Sequence, residues 1–340
     1  MSATTEVRTF SDIYSEILNK MRQPTNVTAI TNQAKRYANT ALHDMVFGFE
    51  YKLPWLERDS HIITMAPYIT GTVEIARGST SLVGSSTAWT TTNVYNIANA
   101  RIGGKINLGT GDVYNVTAVG GGTSITLRER YVADSDLSSG ATYTYFEDEY
   151  DLASDFLKPI DYRRFSTAFN IPIIGRNLFR RLYPKPNIAG TPKVATLLDK
   201  PFSGSTAPRF KIQFYPYPSG NFVIPYSYIT SNLAVSESGV EAPSMVNDND
   251  EPALPVHYRN AIVSFAISKW YRDKKDDNRS DAAKADYIDE INRIVGDQRI
   301  GANTVAQVTP MAGMYNNRSL YGGGRGRRFS TNNSFDDFRT

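Results

Sequence analysis

Cysteine is absent from all 340 residues, which removes disulfides, thiolate nucleophiles and every cysteine-ligated zinc or iron–sulfur site and leaves the redox compartment open. Histidine is almost absent. The three present, His43, His61 and His257, have no second histidine or carboxylate at ligand spacing and read as structural or surface residues, so no metal is expected. Long hydrophobic runs are missing too: nothing approaches the ~20 apolar residues of a membrane helix, and Met1–Thr9 is polar rather than a signal peptide, so the chain reads as soluble with no membrane partner. No Gly-Lys-Ser/Thr follows Gly120-Gly121-Gly122, which therefore reads as a hairpin turn rather than a phosphate loop, and no nucleophile elbow occurs. The acidic runs Glu147-Asp148-Glu149, Asp248 with Asp250, and Asp276-Asp277 read as solvated surface, because catalytic carboxylates need a cleft that shifts their pKa. Asn247–Glu251 lacks the glycine and distal glutamate of a calcium loop. No enzyme activity and no cofactor are expected.

What is present is a normal globular supply of side chains, 41% hydrophobic and 21% charged, enough to build cores without staples. Two helices open the chain. Thr9 with Asp12 three residues on resembles a capping box, and Ile13, Ile17 and Met21 then form a stripe that Pro24 stops. From near Thr25, apolar residues from Val27 through Tyr37 and Leu42 to Phe49 recur at three and four until Leu53-Pro54-Trp55. Two more helices follow Glu251, one presenting Tyr258, Ile262, Phe265 and Trp270, the other Tyr287, Ile291 and Ile294, with the charged turn Lys274–Ser280 between them.

Between these helices the composition changes. Threonine, serine, glycine and β-branched residues dominate from about Tyr68 to Phe146, with strands expected at 72–77, 81–84, 105–108, 113–119, 124–128 and 143–146 and a turn at Ser138–Gly140. Residues 151–192 are broken by Pro159, Pro172, Pro184 and Pro186 and offer only a short helix. Strands at 193–198, 210–215 and 222–228 then follow, the last two reading as a hairpin across Pro218–Asn221. After Gly301, glycine is frequent and aliphatic residues are few, so the segment cannot bury enough surface to offset the cost of ordering and reads as an extended arm.

The expected fold is α+β. The N- and C-terminal helices form one bundle, with Ile17, Tyr37, Leu42, Tyr258, Ile262, Phe265, Trp270, Tyr287 and Ile291 in its core, and a small β-sandwich or barrel is inserted and projects away. The boundaries are 1–66 for the first helical part, 67–147 for the inserted β domain, 148–252 for an irregular and β-hairpin region, 253–299 for the second helical part and 300–340 for the arm.

Charge concentrates at the end. Six arginines against Asp336 and Asp337 give residues 299–340 a net +4, which leaves about −1 for the rest of a chain whose total is +3. The arm from Tyr321 through Arg325, Arg327 and Arg328 to Phe329 resembles Arg-Gly segments that bind nucleic acid. Three clustered arginines give little affinity in salt, and with Phe329, Phe335 and Phe338 as anchors the arm reads better as a segment that orders on a protein partner.

Three stretches carry a family resemblance: Ile30-Thr-Asn-Gln-Ala34 running to Leu53-Pro-Trp55, Phe210–Pro218 with Tyr226 and Tyr228, and Leu254-Pro-Val-His-Tyr258 opening a helix through Ala266 and Trp270 to Asp276-Asp277. Their order resembles the head-to-tail adaptor (connector, neck) proteins of tailed bacteriophages. The inserted module, through Gly78–Gly84, Gly111–Val116 and Ser124–Leu127, is similar to small β domains of phage neck and tail proteins. The resemblance implies a homo-oligomeric ring of about twelve subunits closed by heterologous contacts, seated on the portal in the virion neck and assembled in the host cytoplasm. The arm would reach the portal, a downstream tail or nozzle protein would dock below, and genomic DNA would pass through the channel. Two other readings stay open: a virion-surface or glycan-binding β module, and a nucleic-acid-binding protein acting through the arginine arm.

Overall fold

The computed structural model describes residues 9–47, 53–109, 112–185, 187–199 and 210–306, with the side chains of 297–306 left out. Among them are five α-helices: α1 (Phe10–Lys20), α2 (Thr28–Phe47), α3 (Arg176–Leu182), α4 (Asn260–Asp273) and α5 (Asp277–Ala306). The chain divides into two compact units, one made of 1–52 with 245–340 and the other of 53–244.

The first unit holds α1, α2, α4 and α5. The capping box that starts α1 is present: Thr9 Oγ1 accepts from the Asp12 N–H at 3.3 Å while Asp12 Oδ2 accepts from the Thr9 N–H at 2.9 Å, which satisfies two donors that the first helical turn leaves unpaired. Phe10, Ile13, Ile17 and Leu18 bury one face of α1, and Ala34, Ala38, Ala41 and Leu42 one face of α2. The Tyr37 ring of α2 meets Trp270 of α4 edge-on at 6.3 Å, and Tyr287 of α5 donates to Asp44 of α2 at 3.0 Å. Asn39 clasps the backbone of Met245 through both amide atoms, at 2.9 and 3.1 Å. Each fully buried isoleucine, such as Ile17 and Ile262, contributes about 1.5–3 kcal/mol through its removal from water. Helix α5 does not stop at Gly301 but runs on to Ala306. An internal glycine costs a helix only about 1 kcal/mol, which the rest of the helix offsets.

The second unit contains two β assemblies. Strands β1 (Glu57–Ile63), β2 (Thr72–Ile75), β3 (Ser81–Ser85), β4 (Lys105–Asn107), β5 (Val113–Gly121), β6 (Ser124–Leu127), β7 (Leu137–Ala141) and β8 (Thr144–Phe146) come first. Of these, β2 to β8 make one antiparallel sheet in the order β7-β2-β3-β6-β5-β4-β8. An antiparallel bridge ties Tyr145 of β8, at one end of the sheet, to Tyr68, just ahead of β2 near the other end. The strands from Thr72 to Phe146 therefore form a single curled sheet, nearer the barrel than the two-layer sandwich of the two expected forms, wrapped on Trp89, Leu82, Ile106, Ile125 and Tyr145. Of the turns expected from glycine, the hairpin between β5 and β6 forms at Gly122–Thr123, slightly later than expected, while the one at Ser138–Gly140 is strand instead. Ser138–Gly140 lies in β7, which pairs with β2 around a bulge, and Gly120 and Gly121 lie in β5 with register shifts opposite β6, since glycine accommodates a bulge as readily as a turn.

Residues 149–230 are more regular than their prolines imply. They supply β9 (Glu149–Asp151), β10 (Phe156–Pro159), β11 (Arg164–Ser166), β12 (Ile171–Pro172), β13 (Ala189–Gly190), β14 (Val194–Asp199), β15 (Phe210–Tyr215), β16 (Tyr217–Pro218) and β17 (Val223–Thr230). The hairpin expected from β15 and β17 does not form. Strand β15 pairs with β14 and β9, while β17 pairs with β1 and β10. Pro216 and Pro218 have no N–H to give a returning ladder, and Tyr217–Pro218 instead runs parallel to β13. The second core, Ile212, Phe214, Ile224, Tyr226, Phe156 and Phe165, lies among these strands.

Candidate assembly surfaces and the buried charge cluster

Glu147-Asp148-Glu149, expected on the surface, is largely buried: Glu147 is 5% exposed and Asp148 0%. The run leaves β8 and enters β9, so its side chains lie where the curled sheet meets the second assembly of the same unit. Asp148 Oδ2 accepts from Lys105 Nζ on β4 and from Gln213 Nε2 on β15, each at 2.7 Å. Glu149 lies 3.5 Å from Lys105 and 3.9 Å from Lys211. Arg101 grips Glu147 through two N–H donors, Nε at 3.0 Å and an Nη. Tyr145 donates to the same carboxylate at 2.7 Å, and Tyr150 to the Glu147 carbonyl at 3.1 Å.

This network is electrostatically self-contained. Burial, then the charge of Glu147, pushes the Tyr145 phenol far above its ordinary value, and burial does the same for Tyr150, so both remain neutral donors. Burial alone would lower the Arg101 pKa, but the hydrogen bond and charge of Glu147 raise it. Asp148 Oδ1 receives no hydrogen bond from any described residue. With each carboxylate tied to a cation, the cluster welds elements together, because buried charges are tolerable only when paired. Gly104 completes the joint: a Cβ there would lie 2.0 Å from the Tyr145 hydroxyl. A cleft of about 450 Å³ beside the cluster is lined by His61, Ile63, Arg101, Glu149 and Lys211.

The other acidic run is also not simply solvated. Asp250 is 4% exposed and its Oδ2 accepts from the backbone N–H of Val246 and Asn247, each at 2.7 Å. Burial would raise its pKa, yet the backbone donors hold it below the usual carboxylate value. A group whose folded pKa is depressed contributes stability that is present above the unfolded value of about 3.9 and is lost as pH falls through the folded value. The stability gap between wild type and Asp250→Asn is thus expected to stay level from about pH 7 to 5 and to narrow below about pH 4. Urea unfolding across that range, read by hydrogen exchange of peptides covering α1 and α4 rather than by one global curve, checks it, and a gap that persists undiminished to pH 3 would refute the assignment. Asp248 is exposed and meets Lys35 at 2.6 Å, and Asp276 accepts from the Arg279 N–H at 3.3 Å ahead of α5.

Of the residues assigned to the helical core, Ile17, Leu42, Tyr258, Ile262, Phe265, Trp270, Tyr287 and Ile291 are buried and Tyr37 is half-buried. Tyr321, Arg325, Arg327, Arg328, Phe329, Phe335 and Phe338 lie outside the described residues. His43 stacks on Phe47 at 5.3 Å, His257 lies against Tyr258 at 3.9 Å, and His61 is exposed on β1. Among the described residues no group of three or more histidines and carboxylates is placed to hold a metal, and no helix is long and apolar enough to cross a membrane. Sequence reasoning missed the Arg101–Lys105–Lys211 side of the charge cluster. Its only local sign was the half-alternating Tyr143–Asp151 run, in which acids replace apolar residues at inward positions.

These features define a mixed α/β protein of two compact units, several helices in one and a curled sheet in the other. Residues 81–311, 231 of the 340, match the family model described as SU10 adaptor protein, and the chain belongs to this family of phage head-to-tail adaptors. No curated protein matches the sequence. Membership makes it a virion-associated structural protein that interacts with other phage structural proteins.

Proposed function

We propose that this protein is a ring-forming neck subunit that docks on the portal, joins it to the tail and leaves a channel for DNA, without catalysing a reaction. The observation that carries the reading is membership of the adaptor family over 231 residues. Helices α1, α2, α4 and α5 act in this reading as one bundle that stands beside its copies in the ring. Side-by-side closure needs two complementary faces on each subunit, and exposed apolar residues on or next to the helices, Val27 just ahead of α2, Phe47 on α2 and Ile288 on α5, suit such contacts. The 67–147 module serves as an insertion facing the next component, and residues 307–340, after the end of α5, as the arm that orders on the portal. An arm of this kind adds interface without enlarging the body. The protein assembles in the host cytoplasm and resides in the virion neck.

Electron microscopy of the purified protein, alone and mixed with its portal, tests the reading. Rings coaxial with the portal are expected, and deleting residues 307–340, which leaves α5 whole, is expected to weaken docking. A protein that stays monomeric with portal present would overturn it.

A further inference from the structure

Overall charge hides an asymmetry inside the body of the chain. Residues 160–193 carry Arg163, Arg164, Arg176, Arg180, Arg181, Lys185 and Lys193 against a single carboxylate, Asp161, a net of +6. Since residues 1–298 sum to about −1, everything else in that span carries about −7. All seven cationic residues are exposed. Among the described residues only Lys185 meets a carboxylate, Asp112 at 3.5 Å, in a pair too exposed to neutralise it effectively.

The fold gathers these side chains. The Arg163 carbonyl accepts from the Ile173 N–H at 3.0 Å, Arg164 stands opposite Pro172, and the Ile174 N–H donates to the Ala195 carbonyl at 2.9 Å. Helix α3 follows at once and rests on β14. Lys193, just before β14, donates its N–H to Tyr215 at 3.0 Å, and the Tyr183 ring after α3 stacks on Tyr215 at 3.9 Å. A recess of about 230 Å³ beside α3 is lined by Arg176, Arg180, Tyr183, Lys105 and Gln213, with Glu149 also on its wall. The Glu149 carboxylate already has Lys105 and Lys211 beside it, so Arg176 and Arg180 bring uncompensated charge to this recess.

We propose that the surface formed by residues 163–193 binds the phosphate backbone of duplex DNA without sequence preference. Like charges gathered on one exposed surface repel one another, and that cost is recovered when a polyanion displaces its counterions onto them. Single-strand binding would need a row of aromatic stacking platforms, whereas the large aromatic exposed among these cations is Tyr162, at 63%. The surface is separate from the arginine arm, and the inference stands on the charges of the chain whether or not the protein forms rings.

The test uses the full-length protein and a labelled random-sequence duplex of about 30 base pairs, followed by fluorescence anisotropy over a salt series. Wild type is expected to bind with a steep fall in affinity as salt rises. Arg176→Gln/Arg180→Gln/Arg181→Gln should bind on the order of tenfold more weakly or worse at about 0.1 M salt, with the log–log slope reduced by about 2 to 3. A second variant on different elements, Arg163→Gln/Lys193→Gln, should reduce the slope by about 2, and retained helix and sheet signals would show that both variants fold. Arg325→Gln/Arg327→Gln/Arg328→Gln should keep most of the wild-type slope. Loss of binding in the arm variant alone, absence of salt-dependent binding in wild type, or equal competition by poly-glutamate at matched charge would overturn the proposal, the last by pointing to an acidic protein partner.

Discussion

Lys105→Met is expected to destabilise the unit formed by residues 53–244 by about 3–5 kcal/mol, because it strands a buried carboxylate. The Lys105 side chain is only 10% exposed and that of Asp148 0%, so water cannot replace the ammonium. Gln213 would still donate to Oδ2, but a neutral amide does not compensate a buried charge. The double variant Lys105→Met/Asp148→Leu should recover much of the loss, since replacing both members of a buried pair by apolar groups is often close to neutral. Because the chain has two units, a single unfolding curve is not the right readout. Hydrogen exchange of peptides covering 105–120 and 145–152 reads the effect directly. If Lys105→Met shifts their opening free energy by less than about 1 kcal/mol, the pair is not buried as described.

Trp89→Ala should cost about 3–5 kcal/mol, as is usual for deleting a large buried aromatic. Trp89 is fully buried in the curled sheet, its ring meets Tyr143 at 5.9 Å and 79°, and its Nε1–H donates to the Tyr143 hydroxyl at 3.0 Å. That hydroxyl in turn donates to the Thr70 carbonyl at 2.8 Å, and burial pushes its pKa up to about 12. Trp89→Phe keeps most of the volume and leaves Tyr143 its bond to Thr70, so a loss of about 1–2 kcal/mol is expected. Both losses should appear as faster exchange within 70–146 and leave α4 unchanged. Equal acceleration in α4 would mean that the two compact units unfold together, contrary to the local origin given to the effect.

Periodicity made the helices readable. Ile13, Ile17, Tyr258, Ile262 and Trp270 recur at three and four, and the structure places each within its helix except Tyr258, which sits buried in the 3-10 turn just ahead of α4, while the Thr9–Asp12 cap was visible as spacing alone. Most strands of the curled sheet were legible from β-branched runs. What escaped was whatever depends on distant partners. Glu147-Asp148-Glu149 is indistinguishable in sequence from a wet loop, because Arg101, Lys105 and Lys211 stand 42 to 64 residues away. Strands β15 and β17 looked like a hairpin since the turn chemistry between them fits one, yet each finds its ladder with a segment far along the chain. The cations of residues 163–193 disappeared when charge was summed over the whole body rather than by segment.

The division of the chain sets an order of events during synthesis. Residues 53–244 are contiguous, whereas α1 and α2 belong to a unit whose remaining helices start only at Asn260. Since domains fold as they emerge, the strand-rich unit can finish while its N-terminal neighbour waits on the ribosome for translation to deliver α4 and α5. For that interval the apolar stripes of Ile13, Ile17, Ala38 and Leu42 have only each other's helix to pack on and lack α4. Chaperone holding, or premature association between nascent copies, would strike there first.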